Sequence, residues 1–405
     1  MSSPIAVTGL GIVAPDGVGV KEAWERLLSG VSTAARDPEL EGMPVDFSCR
    51  VDDEAISARL GRGLRWRTDR FIQFAVIAAR EAVADAGLYP EEWDAQRVGV
   101  VIGVGGSAMV HTGEYTKLME GRFGAMKPSL VARSQPGMAA GEVSIDLGAR
   151  GPILTTSTNC TSGASGIAMA KLLLDSGACD VVVAGGAESV RNSWGSAAFW
   201  RMGALSTRGD DPATASRPFD ADRDGFVLSE GAGVLVLERE EHARARRARV
   251  RARLAGQALS GDAHHCVAPE PDGAGAARAM RAAIADAGLT PADIDHVNAH
   301  GTSTSLNDVA EHLALRSVFG TPPPVTANKG VFGHAIAGGS AMEAAFSVLS
   351  LDQQVIPPTA NLLRQDPAID LDVVSGAPRP ARLRSVLSNS VGFGGHNTAL
   401  VFTAP

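Results

Sequence analysis

The chain of 405 residues is 45% hydrophobic and 20% charged, with a formal net charge of −8 at pH 7. That composition suits a chain with a large core, divided into two or three domains or forming one large α/β unit, and it argues against nucleic acid as the main partner. No apolar run reaches the roughly 20 residues of a membrane helix, and four cysteines without a CxxC pair favour a reduced, cytoplasmic setting over a disulfide scaffold.

The segment MSSPIAVTGLGIV has no basic start and enters directly into a strand, so no signal peptide is expected. Gly9-x-Gly11-x-x-Ala14 has the outline of a dinucleotide fingerprint, but Pro15, Asp16 and Gly17 stand where the phosphate-binding helix would begin. Arg59, Arg62, Arg65, Arg67 and Arg70 form a basic island before an apolar helix, suited to steering an acidic partner. That helix ends in AVADAGLYPEE (Ala82–Glu92), which returns as AIADAGLTPAD (Ala283–Asp293). In both, a Gly suits the left-handed helix end and a Pro follows. Each copy runs into a buried strand opening into a loop, VGVVIGVGGS and HVNAHGTSTS.

Next comes PILTTSTNC, a strand that delivers Cys160 to the start of the helix TSGASGIAMAKLLLDSG. A thiol at such an elbow faces the positive end of the helix dipole, which predicts a lowered pKa and backbone N–H groups ready for a developing oxyanion. Cys179, before DVVVAGG, reads as core. STRGDDPATASRPFDADRDGF reads as an ordered loop bridging surface elements. Its Asp220-x-Asp222-x-Asp224-Gly225 starts like a calcium loop but lacks the glutamate at position 12, which favours a salt-bridged turn. The arginines from Arg244 to Arg253 read as a solvated helix end running into a strand. His264, His265 and Cys266 have no further metal ligands at suitable spacing, and His265 reads as lining a site.

The second half repeats the plan of the first. His334 lies in a Gly-rich elbow feeding GGSAMEAAFSVLSL, as Cys160 does before its helix, and SVGFGGHNTALVF echoes FVLSEGAGVLVLE. Three echoes in the same order indicate a duplicated α/β domain, residues 1–250 and 251–405, with mainly parallel sheets between helix layers. His300, at the end of the strand VNAH, and His334, five residues after Lys329, converge with Cys160 on one cleft. The thiol can attack a thioester, and two imidazole N–H groups can stabilise an enolate oxygen of the kind formed when malonate loses CO2.

The segments STNCTSG, NAHGTSTSLNDVAE, NKGVFGHAIAGGSAMEA and NSVGFGGHN, in that order, resemble the signature blocks of chain-elongating β-ketoacyl synthases, from fatty-acid synthase II and type II polyketide systems, and the likeness spans nearly the whole chain. The resemblance implies a thiolase-like α-β-α-β-α fold and a decarboxylative condensation needing no metal or redox cofactor. It assigns Cys160 as nucleophile, His300 and His334 to decarboxylation and carbanion attack, and Lys329 and Glu343 to the polar network behind them. Phe393 would contribute to the oxyanion hole and gate the thiol. Thr302 and Thr304 would bind the phosphopantetheine arm, and Val104 and Phe199 would line or gate the acyl pocket. Arg67 and Arg70 would dock an acidic acyl carrier protein. It further implies a dimer, either of identical chains or with a chain-length-factor subunit. A non-catalytic chain-length factor would lack the cysteine, and a coenzyme A thiolase would need a second one near the C-terminal glycine turn. Asn159 stands where Ala or Gly is usual, Val391 replaces a common Phe and should widen the acyl pocket, and Trp200 and Met202 crowd the segment after Phe199.

Overall fold

The computed structural model describes residues 5–106 and 111–405, so Ser107, the last residue of VGVVIGVGGS, lies outside the described residues. The first half runs β1 (Ile5–Ala14), α1 (Arg70–Asp85), β2 (Val98–Gly103), α2 (Met138–Leu147), β3 (Ile153–Leu154), α3 (Ser162–Asp175), β4 (Val181–Ser189) and β5 (Glu230–Arg239). The second half runs β6 (Ala252–Gly261), α4 (Ala274–Asp286), β7 (His296–Asn298), α5 (Ser305–Phe319), β8 (Val325–Thr326), α6 (Ile336–Gln353), β9 (Ser385–Gly392) and β10 (His396–Thr403).

These strands lie in the order β8-β7-β9-β10-β6-β1-β5-β4-β2-β3, and Gly17–Val18 adds an eleventh strand beside β1. Each half has one internal order: its third strand at the outer edge, then its second, fourth, fifth and first. The duplication read from the sequence is therefore present in the topology. The halves meet where β1 pairs with β6, Ile5 opposite Leu254. Strand direction departs from the expected mainly parallel arrangement. β2 is parallel to β3 and β4, and β7 to β8 and β9, whereas β5 runs antiparallel to both β4 and β1, and β10 to both β9 and β6. A hairpin joins β9 to β10, and a strand buried on both faces has the same apolar composition in either direction.

Helices α3 and α6 form the middle layer. The central core packs Ile167, Leu174 and Phe346 against Leu10, Leu235, Leu254 and Phe402, drawn from strands of both halves. Outside, α1 and α2 cover the first half-sheet and α4 and α5 the second, each over its own apolar cluster. Glycines set the spacing. A Cβ on Gly163 of α3 would stand 2.6 Å from the Ala337 carbonyl, and one on Gly338 of α6 would stand 2.3 Å from that of Gly231. Gly9 and Gly11 serve the same purpose against α1, where added Cβ atoms would meet the Ala82 and Ala78 carbonyls at 2.0 and 1.8 Å. They belong to a strand–helix contact and not to a phosphate loop. Gly87 and Gly288, with φ of 62° and 69°, end their helices as the repeat predicted.

Residues 206–226 are the main departure in the first half. Residues 207–214 stay at the surface, but residues 215–220 thread into the interior, where Phe219 is fully buried. Asp308 accepts the Phe219 N–H at 2.9 Å, and Ser303 accepts those of Arg217, through Oγ, and Gly225. Polar composition marked the segment as loop, but several of its polar groups are bound by the second half. Asp220 accepts the N–H groups of Leu363, Arg364 and Asp222, Arg364 pairs with Asp222, and Arg208 pairs with Asp224. The arginines of 244–253 are likewise mostly paired. Arg246 holds Glu238, Arg251 bridges Asp85 and Asp352, and Arg253 holds Glu240.

Candidate active site

Two elbows face each other at the ends of the middle helices. In the first, a tight turn over Asn159–Thr161 leads into α3, with Asn159 at φ 54°, a left-handed conformation that Asn tolerates better than most residues. Ser162 staples this turn, accepting the Thr158 N–H at 2.9 Å and donating to the Asn159 carbonyl at 2.6 Å. In the second, His334 precedes α6, whose first residue, Ile336, has φ 44°. Two non-glycine residues with positive φ at matching elbows are local strain held in place by the surrounding packing.

Cys160, His300, His334, Phe393, Val391 and His265 all line one cleft of about 220 Å³, and Thr302 and Thr304 line it with them. The thiol is only 4% exposed. Burial pushes it up to about 11, against the pull of Lys329 and of the Phe393 and Cys160 N–H groups. The expected lowering of the thiol pKa is thus reversed, because desolvation of a thiolate outweighs the favourable dipoles. The N–H groups of Cys160 and Phe393 nevertheless converge on the sulfur.

Both imidazoles are buried and stand edge to face, with ring centroids 5.4 Å apart. Burial, and then the nearby Lys329 charge, hold each well below the ordinary histidine range, so both are neutral. Lys329 Nζ lies 2.6 Å from the His300 carbonyl, 3.2 Å from His300 Nδ1 and 2.5 Å from Glu343 Oε1. An ammonium group can only donate, so His300 Nδ1 accepts and the ring hydrogen sits on Nε2. Glu343 is pushed up to about 7 by burial, against the attraction of Lys329.

Some expected residues stand elsewhere. Val104 is fully buried in the first-half core and does not line the cleft. Phe199 lies one layer back, its ring 6.4 Å from Phe393 and 5.6 Å from Phe226, which in turn sits 5.1 Å from His334. Arg67 is half-exposed and pairs with Glu142 at 2.7 Å. Arg70 does not form a docking surface: its guanidinium turns inward to the fully buried Glu230 at 2.8 Å and to Asp53. Arg67 ends one short helix and Arg70 opens the next, and the extended turn between them leaves the second arginine facing the buried Glu230.

Sequence reasoning also passed over the supports of His300. Glu311 on α5 accepts the N–H groups of His300 at 2.7 Å and Gly301 at 2.8 Å, together with the Asn389 amide at 2.7 Å. In the other half, Glu188 accepts the N–H groups of Gly105 and Gly106. An acidic residue on an otherwise buried face was the available signal, since a buried carboxylate needs a set of donors.

A mixed α/β sheet with a central helix layer and a cysteine–histidine–histidine cleft at its elbows defines a condensing enzyme of the thiolase type, and the chain belongs to the β-ketoacyl synthase family. Residues 2–243 match the Beta-ketoacyl synthase, N-terminal domain, and residues 251–363 the Beta-ketoacyl synthase, C-terminal domain. The 3-oxoacyl-[acyl-carrier-protein] synthase 2 of Staphylococcus aureus (strain COL) is 40% identical over 404 residues, covering 98% of this chain and 97% of its own. The protein of the same name from Vibrio harveyi is 40% identical over 413 residues, covering 98% of each. Among solved structures, the ishigamide ketosynthase/chain length factor matches with a TM-score of 0.92 at 34% identity, and a β-ketoacyl synthase from Burkholderia phymatum with 0.93 at 33%, each covering 100% of both chains. A type II PKS acyl-carrier protein in complex with its ketosynthase bound to the hexaketide matches with 0.91 at 31%, also over 100% of both. No helix among the described residues is long and apolar enough to cross a membrane.

Proposed function

We propose that this protein condenses an acyl group held on Cys160 with a malonyl unit delivered by an acyl carrier protein, in fatty-acid or type II polyketide or polyene synthesis. The observation that carries this reading is the convergence of Cys160, His300 and His334 in one cleft, with Lys329 fixing the His300 tautomer.

In the first half-reaction the Cys160 sulfur attacks the carrier thioester, and its proton leaves on the departing phosphopantetheine thiol. In the second, the bond from the malonyl carbon to its carboxylate breaks and CO2 departs. The electron pair passes to the thioester as an enolate, whose oxygen faces the Nε2 hydrogen of His300 and the imidazole of His334. The carbanion attacks the acyl carbonyl, the new oxyanion meets the N–H groups of Cys160 and Phe393, and collapse expels the Cys160 thiolate, which takes up a proton. The product is a β-ketoacyl carrier protein two carbons longer. Atoms and electrons balance without a metal or redox cofactor.

Residues 1–250 would then supply the nucleophile and residues 251–405 both histidines, Lys329 and Glu343. Thr302 and Thr304 would guide the pantetheine arm, and His265 and Val391 would shape the cleft. Arg67, beside the exposed Arg62, Arg65 and Trp66, would meet the acidic carrier protein. A second ketosynthase-like chain, identical or of the chain-length-factor type, would cover the exposed Ile153 and Leu154 of edge strand β3. A thiol chemistry of this kind suits a reducing, cytoplasmic compartment.

Intact-protein mass spectrometry after incubation with acyl carrier proteins of several chain lengths tests this. Cys160 should acquire the acyl mass and lose it, with a longer β-keto product, when malonyl carrier protein is added. Absence of acylation, both alone and with a co-expressed partner subunit, would refute the reading.

A further inference from the structure

The turn that carries Phe393 rests against the nucleophile elbow, and it rests there closely. A Cβ on Gly392 would stand 3.0 Å from the Thr158 carbonyl and 3.3 Å from the Cys160 nitrogen. Gly394 and Gly395 follow at φ 81° and 72°, so the turn is built from residues whose backbone can rearrange at little steric cost. On its far side the Gly394 N–H donates to the Cys266 carbonyl at 2.9 Å, and the Gly395 carbonyl accepts the Asp262 N–H at 2.9 Å. On the near side the side chain of Asn159 reaches across from the elbow, its Nδ2 donating to the Phe393 carbonyl at 2.9 Å.

We infer that Asn159 is a positioning residue: its amide ties the Phe393 turn to the nucleophile elbow, holding the Phe393 N–H at the thiol and the Phe393 ring over it. The inference rests on the proposed condensation for its consequence in turnover, but the tie itself does not depend on that chemistry. Asn159 is one residue from Cys160, so any displacement of the elbow is passed to the turn, and the two oxyanion donors move together. Two separable demands act on this position. The backbone needs a residue that tolerates φ 54°, and the Phe393 carbonyl needs a donor. Glycine meets the first demand without the second, and alanine meets neither.

The test uses the full-length protein as Asn159→Gly, with Asn159→Ala as the second variant, and reads two rates. One is alkylation of Cys160 by iodoacetamide, which depends on access to the buried sulfur and not on carrier protein. The other is single-turnover acylation of Cys160 by acyl carrier protein, which needs the Phe393 N–H in place. With the tie removed in Asn159→Gly, alkylation should rise about threefold or more while acylation falls about threefold or more, at an unchanged melting temperature. Asn159→Ala should show the same opposed shifts with a lower melting temperature from the strained backbone. Rates for Asn159→Gly that both stay within twofold of the parent overturn the inference. So does any change of the two in the same direction. A parent protein that is alkylated at Cys160 yet never acylated refutes the proposed condensation and leaves the alkylation comparison to decide on the tie.

Discussion

Replacing Lys329 with Met keeps the volume of the side chain and removes the group that fixes the His300 tautomer. In the parent the ammonium group donates to His300 Nδ1 and to the His300 carbonyl and pairs with Glu343. Without it, His300 can hold its hydrogen on Nδ1, and Nε2 then faces the substrate as an acceptor, the wrong polarity for an enolate. Loss of a hydrogen bond to a charged group is worth about 1.5–3 kcal/mol, or about 10- to 100-fold in the step that uses it. Stability should fall less than for most buried ion pairs, because Glu343, already at about 7, protonates and becomes neutral. Decarboxylation of malonyl carrier protein, followed as released CO2, should therefore drop about 10- to 100-fold. Acylation of Cys160, followed by intact mass, should drop only severalfold through the lost attraction between Lys329 and the thiolate. An equal loss in the two steps, or decarboxylation within twofold of the parent, would refute the tautomer reasoning.

Val391→Phe places a ring in the cleft beside Phe393, so the longest acyl chain that Cys160 accepts should become shorter; unchanged preference across a chain-length series would count against a role for Val391 in substrate length. Arg70→Met should cost about 3 kcal/mol in urea unfolding, because Glu230 is left buried with Arg191 as its remaining cation. Arg67→Ala should cost about 1 kcal/mol or less and instead raise KM for carrier protein. Burial works against ionisation of Glu238, but Arg246, His242 and Thr8 outweigh it and hold the carboxyl at about 2. A depressed carboxyl contributes stability above its unfolded value of 4.5 and loses it as pH falls toward 2. The gap in unfolding free energy between the parent and Glu238→Gln, on the order of 3 kcal/mol at pH 7, should therefore close between pH 4.5 and 2.

The parts of this molecule that were legible in the sequence are those where local chemistry and long-range repetition agree. The glycines at 87 and 288, the strand-to-helix elbow at Cys160 and the spacing from Lys329 to His334 each have a local reason, and each recurs in or faces its counterpart half. Strand direction was hidden, because β5 and β10 are buried on both faces and carry the apolar runs expected of parallel strands. The 206–226 segment was hidden as well. It read as a surface loop because its backbone N–H groups find their partners, Ser303 and Asp308, only in the second half. Arg67 and Arg70 are three residues apart in one basic run, yet one faces water and the other Glu230. The direction of the Cys160 pKa was misread for a similar reason, since a sequence reveals a helix end but not how dry it is.

The glycines between the middle helices and the sheet leave no room there for even a methyl group. That layer cannot slide to absorb a substitution, so the distances among Cys160, His300 and His334 are inherited as a fixed frame. Variation has to enter at the rim, in the 202–204 and 267–269 segments and at Val391, which touch the cleft without supporting the elbows. A lineage of such proteins can therefore drift widely in the molecules it accepts while the reaction it performs stays the same, and engineering for new substrates should leave the middle layer alone.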